Sequence, residues 1–501
     1  MTESLDHALL IGALVLLVAV AAVRLSTRVG LPSLLIYLAI GVLLGESGFG
    51  QIEFDNYDLT RVLGVCALAV IIAEGGLSAR WSTVRPVLAP AVTLATFGVV
   101  ISVAVVGVVV HLLLDVPLQT ALLYGAVLSS TDAAAVFSTL RRLLVRPRLA
   151  ATLEAESGIN DAPAVLLVIA LSVPTLSDLV WWHELLLMAY ELAAGAVVGV
   201  LVGVAGAFAL RRAALPAVGL YPLAAAGLTI LAYAAGATAH ASGFLAVYVC
   251  GVILGNSRIP HRQAVLGFAD GLAWLAQIGL FVLLGLLASP ARLSSAVWPA
   301  LVVGTVLVVV ARPLSVLLSL VWFRVGWRDQ FFLSWAGLRG AVPIVLATIP
   351  LSLLGPDMMP LFDVVFVLVV IFTVLQTTTL APVARWLRVT APAEATELRV
   401  ETAPLDEMNA DLLQLSVPPG SHLAGMYIDE LRLPQGAAVT LVLRDGHGFV
   451  PQPNDRLRSG DNLLIVATSA SRDAAERRLR AVSRRGRLAR WYGETGDAQP
   501  H

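Results

Sequence analysis

Thirteen apolar runs fill the first 390 or so residues of this chain, separated by short polar breaks. A helix that crosses a bilayer needs about 20 mostly apolar residues. The pattern therefore predicts a polytopic α-helical membrane protein. The runs lie near 7–23, 31–45, 60–79, 87–113, 118–140, 152–174, 184–210, 217–238, 242–256, 265–288, 294–323, 330–351 and 362–386. Only 13% of the residues are charged, against about 25% in soluble domains. No charged n-region or small-residue cleavage site precedes the first run, so it is expected to be a retained span.

The arginines test the count. Loops after odd-numbered runs hold Arg24 and Arg28, Arg80 and Arg85, Arg141, Arg142, Arg146 and Arg148, Arg211 and Arg212, Arg258 and Arg262, Arg324 and Arg328, and Arg385 and Arg388. Those after even-numbered runs hold mainly Glu46, Glu53, Asp55, Asp58, Asp115, Asp178, Asp357 and Asp363, with Arg61 and Arg292 as exceptions. Positive loops stay cytoplasmic, which predicts an outside N-terminus and a cytoplasmic C-terminal region. Thirteen spans also suit two six-helix repeats joined by one linker helix. An odd linker inverts the second repeat, as in many secondary transporters.

The chain contains no lysine; all 33 Lys/Arg positions are arginine. A P-loop needs its phosphate-binding lysine, and Schiff-base chemistry needs a lysine amine. Both are excluded, and with them primary ATP-driven pumping by this chain alone; the chain reads as a secondary transporter, not an enzyme, and no cofactor is expected. Cys66 and Cys250 both lie in apolar runs and offer no disulfide framework or metal cluster.

Ionisable residues inside spans are expensive and mark function. The reading singles out Glu74 in the third run, Asp132 in the fifth, Glu154, Glu156 and Asp161 in the sixth, and Arg339 in the twelfth. Glu191, near the start of the seventh, reads as interfacial. On a helix, Ser157 and Asp161 share one face, and Glu156 and Asn160 share its neighbour. Glu154 reads as a residue of the cytoplasmic rim.

The fifth and twelfth runs are interrupted at mid-depth by Ser129-Ser130-Thr131-Asp132 and by Gly337-Leu338-Arg339-Gly340-Ala341-Val342-Pro343. Serine and threonine compete for backbone hydrogen bonds, and glycine and proline weaken a helix directly. These two runs occupy equivalent places in the two repeats. Matched broken helices point to an ion site near the midplane. An unwound turn would offer the Thr131 carbonyl as a ligand. Asp132, Asp161, Ser157 and backbone carbonyls form an all-oxygen set, which suits hard cations. The charge count alone leaves the valence open.

The Ser-Ser-Thr-Asp, Glu-Ser-Gly-x-Asn-Asp and Gly-Leu-Arg-Gly-Ala motifs, in this order and spacing, resemble the monovalent cation:proton antiporter-1 family of NhaP type, over residues 1–390. The resemblance implies a thirteen-helix fold, homodimers and elevator-like alternating access. It implies that Asp161 is the essential acid, taking cation or proton in turn, with Asp132, Thr131 and Ser157 as co-ligands for a monovalent cation. It also makes Asn160 the neutral partner that accompanies electroneutral exchange. Arg339 becomes a structural cation, paired with Glu156 or Glu74. Glu154 is left without a role.

After Arg388 the composition becomes that of a soluble protein. Residues 391–408 read as a linker. Strands are expected at Leu412–Val417, Ala437–Leu443 and Leu463–Val466. A helix capped by Ser421 is expected to reach Leu431, Asp445-Gly446 to form a hairpin, and a last helix to start near Ser471. Residues 409–485 resemble the TrkA C-terminal (RCK-C) domain, which implies a regulatory α+β module, often dimeric and sometimes nucleotide-binding. No phosphate-cradling loop is visible. The basic tail, 486–501, is expected to meet anionic lipid or solvent.

The resulting expectation is electroneutral exchange of potassium or sodium for protons in the cell membrane, with ions, lipid and a second copy as partners and no nucleic acid. Potassium is favoured because antiporters with a TrkA-C domain often export it. A channel would need a carbonyl ladder, and none is visible. A sensor without flux is the other rival.

Overall fold

The computed structural model describes residues 2–29, 33–45, 51–52, 54, 56–132, 145–173, 181–390, 400–405, 410–417, 421–444, 446–468 and 470–485. Glu46, Glu53, Asp55, Asp178, Arg141, Arg142, the second half of the fifth run and the 486–501 tail lie outside them. The chain divides into two units, Met1–Thr390 and Ala391–His501.

The first unit is helical. Its elements are α1 (Thr2–Val29), α2 (Ser33–Leu44), α3 (Tyr57–Ser78), α4 (Trp81–Leu114), α5 (Leu118–Ser129), α6 (Pro147–Leu171) and α7 (Trp181–Arg212). They continue with α8 (Leu220–Thr238), α9 (Gly243–Asn256), α10 (Arg262–Leu287), α11 (Pro290–Phe323), α12 (Trp327–Trp335), α13 (Ala341–Leu354) and α14 (Met359–Trp386). Among the described residues, seven helices are long and apolar enough to cross a membrane, and several shorter apolar ones accompany them. The arginines that broke the loop alternation are matched by acids: Arg61 lies 3.8 Å from Asp58, and Arg292 3.1 Å from Asp363.

Two features of the helices bear on the site. First, α4 and α11 each contain a π-helical turn, Leu94–Gly98 and Val306–Ala311. The Ser315 hydroxyl donates to the Gly98 carbonyl (2.9 Å), joining the two helices beside these turns. Second, α3 and α9 approach backbone to backbone. A Cβ on Gly76 would fall 2.6 Å from the Tyr248 carbonyl oxygen, and one on Gly251 would fall 3.0 Å from that of Ala73. Small residues permit such close packing in lipid, where it replaces the hydrophobic effect as the source of helix association.

The second unit is a five-stranded antiparallel sheet in the order β1-β2-β5-β3-β4. The strands are β1 (Val400–Leu405), β2 (Ala410–Ser416), β3 (Ala437–Arg444), β4 (His447–Phe449) and β5 (Asn462–Thr468). Helix α15 (Arg472–Arg485) buries Ala475, Leu479 and Val482 with Leu413, Leu415, Leu463 and Ile465 in one core. Arg444 pairs with His447, and Gly446 between them takes φ +80°; Asp445, the other residue of the expected hairpin, lies outside the described residues. Two expectations need correction. Strand β1 lies inside the stretch read as linker, where pairing with β2 supplies the order its composition does not. No α-helix runs from Ser421 to Leu431. The Ser421 hydroxyl accepts from Leu423 N–H (3.2 Å) and bonds Ser483 (3.0 Å), which closes a turn; a single 3-10 turn follows at Ile428–Leu431.

Candidate ion-binding site

Helix α5 stops at Ser129, whose hydroxyl bonds back to the Ala126 carbonyl (2.7 Å). Ser130 is extended, with φ −68° and ψ 141°. Between α12 and α13 the backbone is likewise non-helical from Gly337 to Gly340. The two breaks meet: Asp132 N–H donates to the Leu338 carbonyl (3.0 Å), and Ala341 N–H donates to Asp132 Oδ2 (2.9 Å). Asp132 thus sits on the free N–H end of α13, where the helix dipole favours a negative charge. Gly340 permits this approach, since a Cβ there would collide with the Asp132 carboxylate.

Helix α6 brings the other acid. The Ser130 hydroxyl donates to Asp161 Oδ1. Ser157 donates to the Thr131 carbonyl (2.5 Å), and Asn160 Nδ2 donates to Thr131 Oγ1 (2.7 Å). Asp132, Ser157 and Asp161 line one cavity together with Glu154. Thr131, Ser157, Asn160 and both aspartates are buried. Asp132, Thr131, Ser157, Asn160 and Asp161 are therefore brought together. Glu74 is not; it lines a separate, mostly apolar cavity among α3, α8 and α10.

Arg339 differs from expectation. Its guanidinium donates to the Leu128 carbonyl (2.7 Å) and the Gly337 carbonyl (3.0 Å), and its own carbonyl accepts from Thr373 (2.6 Å). It ties both breaks through backbone oxygens left free by the unwound turns. The acid expected to pair with it, Glu156, is held instead by Arg312 of α11, at 2.5 and 2.8 Å. Sequence reasoning missed Arg312. The signal was there: an arginine deep in the apolar 294–323 run.

Helices broken at two points, crossed through their extended segments and flanked by a buried carboxylate on a neighbouring helix, define a helical membrane transporter. A family model described as sodium/hydrogen exchanger, transmembrane, matches residues 13–386, and a TrkA-C domain model matches 412–480. The chain belongs to the sodium/hydrogen exchanger family. It is 38% identical over 476 residues to the K(+)/H(+) antiporter NhaP of Alkalimonas amylolytica, covering 93% of this chain and 82% of that one. It is 35% identical over 499 residues to the K(+)/H(+) antiporter NhaP2 of Shewanella oneidensis, covering 98% and 86%. The solved sodium proton antiporter MjNhaP1 of Methanocaldococcus jannaschii shares the fold, with TM-score 0.64, 22% identity, and coverage of 75% of this chain and 97% of that one.

Proposed function

We propose that the chain exchanges a monovalent cation, potassium in preference to sodium, for protons by alternating access. The observation that carries this reading is the shared cavity of Asp161 and Asp132 beside the Thr131 carbonyl and the Ser157 hydroxyl. Charge counting around the crossing supports a one-for-one step. Glu156 is cancelled by Arg312, and the fixed charge of Arg339 offsets Asp132. At the crossing itself Asp161 then remains as one negative charge, which one proton or one monovalent cation neutralises; Glu154 lines the same cavity but stands about 10.5 Å away along α6, outside the crossing. Asn160 adds none. The potassium preference rests on the names of the relatives. The channel and sensor rivals gain no observation.

The same reading takes thirteen spans as two inverted repeats. The broken fifth and twelfth spans support it, and so do the π-helical turns in the fourth and eleventh, an independent matched pair. An outside N-terminus and a cytoplasmic C-terminal unit in the cell membrane follow from the arginine loops, whose two exceptions carry their own acids. The family resemblance adds a homodimer. Residues 409–485, with β1 joined to them, form the regulatory unit.

Purified protein in proteoliposomes tests this. A preset pH gradient is expected to dissipate only when potassium or sodium is present, and an imposed membrane potential is expected to leave the steady state unchanged. Cation flux without proton movement would establish a channel, and no flux a sensor. Voltage dependence would show a second moving charge.

A further inference from the structure

The cavity of the two aspartates carries an aromatic ring that the exchange reading leaves unused. Tyr248 of α9 is 7% exposed and lines this cavity with Glu154, Ser157 and Asp161. Its ring covers Gly158. A Cβ built there would fall 2.8 Å from the ring Cζ and 2.9 Å from Cδ2, with Cε2 nearer still. Gly158 is four residues after Glu154 and three before Asp161, so all three share one face of α6. The two acids stand about 10.5 Å apart along the helix axis, with the ring over the helix between them. The Tyr248 backbone is held at the close helix contact on Gly76 of α3 described above, so the ring can leave the cavity only by rotating about its own side-chain bonds. The cavity leaves room for little more than one water-sized particle. A cation with its complete first hydration shell does not fit.

We propose that Tyr248, seated on Gly158, is the constriction that selects the cation between Glu154 and Asp161, by making it shed water before it reaches the aspartates. Glu154 then acts as the outer carboxylate that holds the cation while the shell is lost. This rests on the exchange reading and deepens it. Potassium and rubidium hold their water less tightly than sodium and lithium, so the ring favours the larger ions. Gly158 is part of the device, since any side chain there would displace the ring.

The test is dissipation of a pH gradient by the full chain in proteoliposomes, with lithium, sodium, potassium and rubidium in turn. Tyr248→Ala is expected to move the potassium-to-lithium ratio of rates toward lithium by about 10-fold, the lower end of the scale on which a pocket discriminates by size. Tyr248→Phe, which keeps the ring, is expected to move it far less. Gly158→Ala is expected to lose exchange and to regain part of it when combined with Tyr248→Ala, the non-additivity of groups in contact. Should the alanine variant fail to fold, Tyr248→Leu, which fills similar volume without a rigid ring, gives the same readout. Unchanged cation ratios in folded Tyr248 variants overturn the proposal while leaving exchange intact. A wild type that moves no protons with any cation overturns the exchange reading itself.

Discussion

Arg312 and Glu156 face each other through two hydrogen bonds, with side chains 5% and 1% exposed. Glu156 precedes Ser157, whose hydroxyl reaches the Thr131 carbonyl. The Arg312 guanidinium also lies against Gly337, where a Cβ would fall 2.8 Å from Nε. One arginine therefore braces α6 and the α12–α13 break together. Removing one partner of a buried pair leaves an uncompensated charge and costs about 3–5 kcal/mol. Arg312→Ala is expected to lower thermal stability in detergent by that order, and Arg312→Met with Glu156→Gln to recover most of it. A single variant as stable as wild type would show that the pair does not hold α6 and the α12–α13 break together.

Exchange itself is expected to depend on Asp161 more than on Asp132. Asp161→Asn keeps the shape and can still bond Ser130, but a neutral amide, though its oxygen can touch a cation, cannot alternate between proton and cation. Its exchange rate is expected below about a tenth of wild type, with the protein folded. Asp132→Asn retains one oxygen for the Ala341 N–H and is expected to weaken apparent cation affinity before it abolishes turnover. Concentration dependence of gradient dissipation separates the two. Equal loss in both variants would make the aspartates an interchangeable pair.

The C-terminal unit has its own pH response. Burial alone would push the Asp461 carboxyl up. Two hydrogen bonds from Arg444 and one from the Arg458 N–H outweigh it and hold the carboxyl below the usual range. The unfolded chain then binds protons more readily, so the stabilisation is present above the ordinary value near ~3.9 and is lost as pH falls through the lower folded value. Hydrogen exchange at β5 in the full chain checks this. Wild type is expected to be better protected than Asp461→Asn at neutral pH, and the gap to close in acid. A gap that persists there would exclude ionisation as its cause.

Much of this was legible in the sequence because lipid leaves few choices. Apolar runs must be helices, since no water satisfies other backbone. A Ser-Ser-Thr-Asp or Gly-Leu-Arg-Gly stretch at mid-depth must find partners for its freed groups. The acids at 132 and 161 were legible for the same reason. The Glu156 partner was not. Arg312 and Arg339 are both intramembrane arginines, and only the crossing of α6, α11 and the two breaks decides which meets the carboxylate. The π-helical turns have no composition of their own. In the C-terminal unit, β1 is ordered by its neighbour, and the polar Ser421 stretch can cap a helix or close a turn with equal ease.

The end of the membrane unit is tied to the helix that carries Asp161. Val389 is fully buried, and its carbonyl accepts from Arg146 N–H (3.1 Å) just ahead of α6. Val145 bridges Thr390, and the Arg146 guanidinium bonds both Asp329 and the Arg388 carbonyl, each at 3.1 Å. Where the chain is cut should therefore matter. A truncation after Thr390 keeps all these bonds and is expected to retain exchange, including the competition between protons and cation at Asp161, while losing any response to a ligand of the C-terminal unit. Cutting after Arg388 removes the buried Val389 side chain and Thr390, and takes from the Arg146 N–H an acceptor bond worth about 0.5–1.5 kcal/mol. That shorter form is expected to be less stable and slower. The check is cation dependence at several pH values for both truncations, with thermal stability alongside. If the two behave alike, the bridge does not support α6. If the longer one loses exchange while folded, the C-terminal unit takes part in transport itself.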